Sequence, residues 1–439
     1  MNIRLKPGKD KPVRNGHPWI FSGAVARVDG EINLCDRLCT VYNANGERLG
    51  IGYYNDKSTI RVRMLSVDTA DDTAVNTAVN TDKGLSKRSG GKSVPLSVST
   101  RPALPLTFTA NDLRNRVRQS IDTRKRNGAL TEYANGGNTD SCRLVNSEGD
   151  FLPGLIVDKY GPGLCIQIGT AGMECWRGAI IDALLDIVNP AFIYERSDTA
   201  SREREGLSVS EGLIAGALPE TLVITENGVR YRADLRDGQK TGFFFDQREN
   251  RALLRRYAAG RNVCDCFSYS GGFAINAALG GAASVVAVDS SEDAGACLSE
   301  NARLNGVSGA VRFLKSDAFA FLRRLCPGGG DDAPIDLLIL DPPKFARHHG
   351  DVDRAARGYK DINLAALRAL APGGLLFTFS CSGAVDPYLF RQIVFGAAAD
   401  ARRGVQILHV LTAGPDHPVS IAHLEGEYLK GLVLRVQSL

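Results

Sequence analysis

From Gly228 to the C-terminus, short continuous apolar runs alternate with helix-like stretches. Val263 to Cys266 is followed by a helix reaching Leu279, Ser284 to Asp289 by a helix reaching Leu304, and further runs follow at Val311 to Leu314, Ile335 to Leu340 and Leu375 to Ser380. Runs without polar alternation belong to strands buried on both faces, so the pattern predicts a parallel sheet covered by helices on each side, a doubly wound α/β domain. The first 65 residues read differently. Trp19 to Phe21, Leu38 to Tyr42, Arg48 to Tyr54 and Ile60 to Leu65 are short β-type runs between turns, and they predict a small β domain. Between the two ends, a helix with Asn111 or Asp112 as its cap runs through Arg126, and strands with one helix from Leu144 to about Tyr194 complete an α+β segment. Residues 67–101 are rich in Asp, Thr, Asn, Ser, Gly and Lys and repeat Thr-Ala-Val-Asn at 73–76 and 77–80. Few large apolar side chains there offset the entropy of ordering, so a flexible insert is expected. The division that results is 1–67, 68–102, 103–225 and 226–439.

Composition changes this picture little. With 439 residues, 44% hydrophobic and 23% charged, the chain reads as a globular protein of several domains. No stretch approaches the roughly 18 uninterrupted apolar residues of a membrane span, and the opening Met1 to Pro7 has no apolar core of a signal peptide. A cytoplasmic location without membrane partners is therefore expected, with the ten cysteines as thiols. Neither Cys35 and Cys39 nor Cys264 and Cys266 has a second pair at zinc-site spacing, so they read as small buried hydrophobes and no metal site is expected.

Charge adds more. The net +4 is unevenly spread, because residues 1–64 carry 11 Lys or Arg against 6 Asp or Glu, a balance of +5. A phosphate-facing N-terminal module follows, with Lys6, Lys9, Lys11, Arg14 and Arg61 as backbone contacts and Trp19 as a plane for stacking a base. The helix with Arg114, Arg116, Arg118 and Arg124 is a weaker candidate, since alternating arginines do not share one face.

In an open α/β sheet a ligand binds outside the carboxyl ends of the strands where the strand order reverses. The first strand here exits through Asp265, Cys266, Phe267, Ser268, Tyr269, Ser270 and Gly271. The spacing is not G-x-G-x-x-G, which argues against a nicotinamide cofactor. Asp289, followed by Ser290, can accept hydrogen bonds from both hydroxyls of a ribose. Asp317 and Ala318 place a polar group where an adenine amino group would lie, and Asp341 closes the series. Four acidic strand ends suit S-adenosylmethionine better than a phosphate group, which would call for lysine and amide donors. Cys381 ends one apolar run forty positions after Asp341-Pro342-Pro343-Lys344-Phe345 ends another. If the two runs are neighbouring parallel strands, a carboxylate, a backbone bent by two prolines and a nucleophile share one mouth.

These residues carry a resemblance. Gly16-His17-Pro18-Trp19-Ile20-Phe21, Arg143-Leu144-Val145-Asn146, Leu152 to Asp158, Gly238 to Arg248, Asp416-His417-Pro418-Val419 and Glu427-Tyr428-Leu429-Lys430-Gly431 resemble motifs of the bacterial PUA-domain methyltransferases that make 5-methylcytosine in 23S ribosomal RNA. The likeness runs from Leu5 to Leu439 apart from the insert. It implies a class I, Rossmann-like methyltransferase domain after a central α+β domain and an N-terminal β-rich PUA domain, with S-adenosylmethionine as donor. Asp265, Phe267, Asp289, Asp317 and Asp341 fall on the family's cofactor positions, and Gln247 and Arg248 on a segment that closes over the donor. Cys381 is implied as nucleophile, and the chemistry needs one. Carbon 5 of cytosine accepts a methyl group only after a thiolate adds at carbon 6 and makes it enamine-like. Asp341 then stands where it can hydrogen-bond nitrogen 3. Pro343 is followed by Lys344, not by the second cysteine many cytosine methyltransferases carry, so the eliminating base is unassigned. Extruding the base is least costly at a single-stranded site, so naked or partly assembled 23S RNA is the expected substrate. A homodimer is left open. The alternatives are a guanine N-methyltransferase, which shares Asp-Pro-Pro-x-Phe and needs no thiol, a non-catalytic RNA-binding assembly factor, and a small-molecule methyltransferase.

Overall fold

Seven strands form the sheet expected in the C-terminal half: β1 (Asn262–Cys266), β2 (Ser284–Asp289), β3 (Val311–Lys315), β4 (Ile335–Leu340), β5 (Leu370–Ser380), β6 (Gly404–Leu411) and β7 (Lys430–Gln437). A computed structural model describes residues 1–68, 107–131, 138–198, 200–236, 241–325, 334–345 and 349–437. Apart from Asp68, the insert expected at 68–102 lies outside these residues, as do Gly238, Gln239 and Lys240. The strand order is β3-β2-β1-β4-β5-β7-β6, with β1 to β5 parallel and β7 antiparallel to both neighbours. Strand order reverses between β1 and β4, where Cys266 pairs with Leu340, and β4 is in turn parallel to β5 with Leu340 opposite Thr378.

The reason the central strands β4 and β5 are largely apolar is visible in their two faces. Leu338, Leu340 and Leu376 enter one core, beneath the helices Val352–Ala369 and Pro387–Ala401. Leu337, Ile339, Phe377 and Phe379 enter the other, with Leu254, Phe273 and Leu298 from the helices opposite. Both faces of β4 and β5 are covered along these positions, so apolar side chains dominate there, and each fully buried phenylalanine contributes roughly 1.5–3 kcal/mol. The covering helices begin at side-chain caps: Ser291 Oγ accepts from the Ala294 amide, and Asp386 Oδ1 from the Leu389 amide at 2.7 Å with Pro387 in the first turn.

The N-terminal unit is a six-stranded sheet that adds Asn2–Leu5 and Val25–Asp29 to the four expected strands; the second of these has no fully buried position, which hid it from a hydrophobic reading. The central sheet has five strands, Cys142–Asn146, Leu155–Tyr160, Gly163–Ile168, Phe192–Ser197 and Ser210–Gly216. Helix Ala110–Arg126 beside it is capped by Thr109, not by Asn111 or Asp112. The Thr109 hydroxyl accepts from the Asp112 amide while the Asp112 carboxylate accepts from the Thr109 amide, a capping box. The hairpin of Leu222–Glu226 and Val229–Ala233 packs against helix Glu292–Leu304, with the Arg232 amide donating to Asn301 at 2.7 Å. A boundary at 225/226 therefore cuts through the first strand of a hairpin.

Apolar residues cross between these units. Ile51, Tyr53 and Leu65 of the N-terminal sheet share a core with Leu144, Leu155 and Met173 of the central unit. The Tyr53 hydroxyl donates to the Pro153 carbonyl at 2.6 Å, and the ring lies so close to Gly172 that an added Cβ would stand 2.1 Å from it. Buried ions fasten the rest. Arg124, fully inaccessible, is bidentate to Asp150 at 2.5 and 2.7 Å and donates to the Asp416 carbonyl at 2.8 Å. Arg143 is bidentate to Asp158, which also accepts from Thr241, and Arg251 is bidentate to Glu226. Of the cysteines read as buried, Cys39, Cys264 and Cys266 are so, but Cys35 is exposed, because it lies on a turn outside any strand. Among the described residues no helix is long and apolar enough to cross a membrane.

Candidate active site

The loop leaving β1 is bent by three residues in the left-handed region, Phe267 (φ 63°), Tyr269 (φ 45°) and Gly271 (φ 80°). Two of them carry side chains, so the conformation is held against its own preference. The Ser268 amide donates to the Val288 carbonyl, the Tyr269 amide to Asp289 Oδ2 at 2.9 Å, and the Gly271 amide to the Ser268 carbonyl. Glycine at 271 answers both its φ and its surroundings, since a Cβ there would stand 2.7 Å from Leu298. The turn thus delivers the chain into helix Gly272–Leu279 while keeping the backbone at the β1/β4 crevice.

Three carboxylates face one another across that crevice. Asp265 is buried; one of its oxygens accepts from the Ala274 amide at 3.0 Å in the first turn of the helix. Burial raises its pKa well above the usual carboxylate range, and the charges of Asp341 and Asp289 raise it further, against the Ala274 hydrogen bond. Asp289 accepts from the amides of Tyr269 and Ser291, which fix its carboxylate at the end of β2, with Ser290 exposed beside it. A cationic ligand relieves this repulsion. S-adenosylmethionine, with its sulfonium and ammonium groups, has the right charge. Polar groups await hydrogen bonds too. Asp265 Oδ1 near the end of β1, Ser268 Oγ on the loop after it, and Gln247 Nε2 on the segment packed against that loop are buried without a protein partner. Phe267, Phe319 and Phe345 form a row, with ring centroids 6.3 and 5.9 Å apart, that lines one side.

Not every expected residue stands with this group. Asp317 is exposed and its Oδ1 caps helix Ala318–Arg324 by accepting from the Ala320 amide at 2.8 Å; Ala318 behind it is buried. Arg248 is a correction. Its guanidinium donates to the Ala129 carbonyl at 2.8 Å and lies 3.6 Å from Asp416, so its charge is committed to the joint with the central unit and does not close over a donor. Trp19 is another. Its indole NH donates to Glu148 at 2.7 Å, its ring meets His423 at 4.4 Å between centroids, and Arg63 covers it at 5.4 Å, so no face is presented for stacking a base. Lys6, Lys9 and Lys11 are exposed on the first strand's exit and the short helix after it, but Arg14 beside them is already paired with Asp10 and Glu47. Arg61 is half-buried on the strand Ile60–Val67. Of the four arginines singled out on the helix Ala110–Arg126, only Arg118 is exposed; Arg114 pairs with Asp186, Arg116 donates to the Phe151 carbonyl and Arg124 is buried.

Cys381 follows β5 as Asp341 follows β4. Its sulfur is half-buried and lies 3.9 Å from the Pro342 carbonyl oxygen, so the thiol and the proline-bent backbone do occupy one mouth beside the crevice. The turn after it is held from two sides. The Tyr359 hydroxyl is 2.9 Å from Ser382 Oγ, and Lys430 Nζ donates to the carbonyls of Ser382 and Val385 at 2.7 and 2.6 Å. Lys430 belonged to a recognised motif but had no role; a single lysine interrupting the apolar run Leu429 to Leu434 was the signal for it.

Comparison with known proteins bears on what binds here. Residues 200–423 match the S-adenosylmethionine-dependent methyltransferase family, and residues 3–67 match the PUA-like domain. Proteins named ribosomal RNA large subunit methyltransferase I from Salmonella paratyphi B and Salmonella typhimurium are each 37% identical over 434 residues, 98% of this chain and 96% of theirs. The chain belongs to the ribosomal RNA large subunit methyltransferase I family. Two solved structures have the same fold along their whole length. One is described as a SAM-dependent methyltransferase from Streptococcus mutans (20% identity, TM-score 0.76) and the other as a methyltransferase complexed with SAH (20%, 0.77); each match covers 99% of this chain and 100% of the other.

As a member of the methyltransferase I family the chain uses S-adenosylmethionine, and the crevice residues can be tested against it. Asp265→Asn keeps an acceptor for the Ala274 amide while removing a buried charge. It is expected to weaken donor binding about tenfold or more, the worth of one charge-assisted hydrogen bond, and to leave stability unchanged or raised. Calorimetric titration together with thermal melting reads both; undiminished affinity would remove Asp265 from the donor site.

Proposed function

We propose that this methyltransferase makes 5-methylcytosine in 23S ribosomal RNA through a covalent adduct at Cys381. The observation that carries the reading is the half-exposed sulfur of Cys381 beside the Pro342 carbonyl, at the ends of adjacent parallel strands and next to the donor crevice. Support for RNA comes from the PUA-like match at residues 3–67, from the exposed lysines at 6, 9 and 11, and from the names of the full-length relatives.

In this reading the donor crevice is built from Asp265, Phe267, Ser268, Gly271 and Asp289, with Ser290, Asp317, Ala318 and Gln247 at its edge. The Cys381 thiolate adds to carbon 6 of the extruded cytosine, and the electrons of the 5,6 double bond move into the ring toward nitrogen 3 and oxygen 2. Asp341 takes up a proton from solvent and donates it in a hydrogen bond to nitrogen 3, where that charge develops. When bound, S-adenosylmethionine supplies the electrophilic methyl group that the activated carbon 5 takes up. Loss of the carbon 5 proton then restores the double bond and expels sulfur as thiolate. The Pro342 carbonyl, beside the Cys381 sulfur, is placed to accept from the exocyclic amine of a base once the thiol has given up its proton.

Nucleoside mass spectrometry of 23S RNA after reaction with the purified chain tests the assignment. The expected product is 5-methylcytidine, formed on deproteinised or partly assembled RNA. Methylguanosine as product would replace this reading with the guanine one, and activity confined to intact subunits would overturn the expected substrate state.

A further inference from the structure

We propose that Lys430 is the positioning residue that holds Cys381 as a thiolate. The inference rests on the reading of Cys381 as nucleophile and deepens it. Lys430 opens β7 directly opposite Ser380 of β5, and its side chain passes the position of Cys381 to reach the turn beyond. Leu429, Leu432 and Val433 around it are buried, and Lys430 itself is 5% exposed. A primary ammonium carries three donors. Two are taken by the carbonyls of Ser382 and Val385, residues one and four beyond the thiol, which fixes the nitrogen in place. Among the described residues no carboxylate is in salt-bridge contact with it. Of the charged groups whose field it feels, Cys381 acts most strongly, followed by Asp386, Lys344 and Glu427; Asp386 is turned toward the helix it caps and Glu427 is exposed.

A buried ammonium without a counter-charge is unfavourable. A thiolate at Cys381 supplies that charge, and the ammonium in turn favours the thiolate over the thiol. Consistent with this, burial pushes the Lys430 ammonium down to about 8, with Cys381 the first of the groups that hold it up, so that it remains charged at neutral pH. The arrangement serves both ends of the reaction. Cys381 gives its proton to solvent and is held as S⁻ until a base arrives; sulfur leaves carbon 6 with its electron pair and returns to the same ammonium.

The test is the pH dependence of Cys381 alkylation by iodoacetamide in the full chain without RNA, read by mass spectrometry of the Cys381 peptide. The unaltered chain should show a midpoint about one unit or more below the 8.5 of a free thiol. Lys430→Met should raise the midpoint by at least about one unit and slow alkylation about tenfold at pH 7, and Lys430→Arg, which keeps a charge, should restore the low midpoint. A midpoint at or above 8.5 in the unaltered chain, or one that Lys430→Met does not move, would overturn the proposal. If Lys430→Met does not fold, the unaltered chain and Lys430→Arg still decide. Methylation surviving in Cys381→Ala is a separate outcome: it would end the nucleophile reading while leaving the alkylation result standing.

Discussion

Replacing Cys381 by alanine is expected to reduce cytosine methylation by more than about 10⁴-fold, the scale on which loss of a covalent nucleophile acts, and to leave donor binding unchanged. The reason lies in carbon 5, which is too weak a nucleophile until sulfur has added to carbon 6. The proposed donor residues Asp265, Ser268 and Asp289 lie on β1, the loop after it and the end of β2, whereas the thiol follows β5, so one function should be lost without the other. RNA carrying 5-fluorocytosine makes the distinction sharp. Fluorine at carbon 5 cannot leave as a proton, so the unaltered chain should accumulate an adduct that survives denaturation, and Cys381→Ala should form none. An adduct in the variant, or undiminished methylation, would show that another group attacks the base or that none does.

Replacing Arg124 by methionine is expected to destabilise the fold by about 3–5 kcal/mol, the cost of leaving one member of a buried ion pair without its partner. Asp150 would keep the Asn146 amide at 2.6 Å but lose both guanidinium contacts, and the carbonyls of Arg143 and Asp416 would lose a donor. The urea midpoint should fall accordingly. Converting Asp150 to leucine as well should recover part of the loss, because the charge left behind, and not the missing attraction, accounts for most of it. A loss below about 1 kcal/mol, the range of an exposed pair, would show that water reaches the site.

The five parallel strands of the wound sheet and the place of Asp265, Asp289, Asp341 and Cys381 toward their ends were legible because both depend on local information, whereas the antiparallel strands Gly404–Leu411 and Lys430–Gln437 were not foreseen. What was illegible depends on partners far away in the chain. Trp19 looked like a stacking plane until Glu148, 129 positions on, claimed its indole. Arg248 looked like part of a lid, yet it answers Ala129 and Asp416. Arg124 looked like one of a row of surface charges, yet it reaches a carbonyl 292 positions away. Lys430 had the opposite fate, passing unremarked within a motif although its nitrogen lies by the proposed nucleophile. A charged side chain declares its exposure only through its surroundings, and sequence periodicity does not contain them.

The seam formed by Ile51, Tyr53 and Leu65 with the central unit limits how such a chain can be rebuilt. A PUA-like module taken from another protein would have to bring an aromatic hydroxyl for Pro153, a ring flush against Gly172 and a guanidinium between Glu148 and Glu205. Trimming the module away would bare apolar surface and orphan two buried carboxylates at once. Any exchange of the N-terminal unit therefore demands matching changes in the central unit it is joined to.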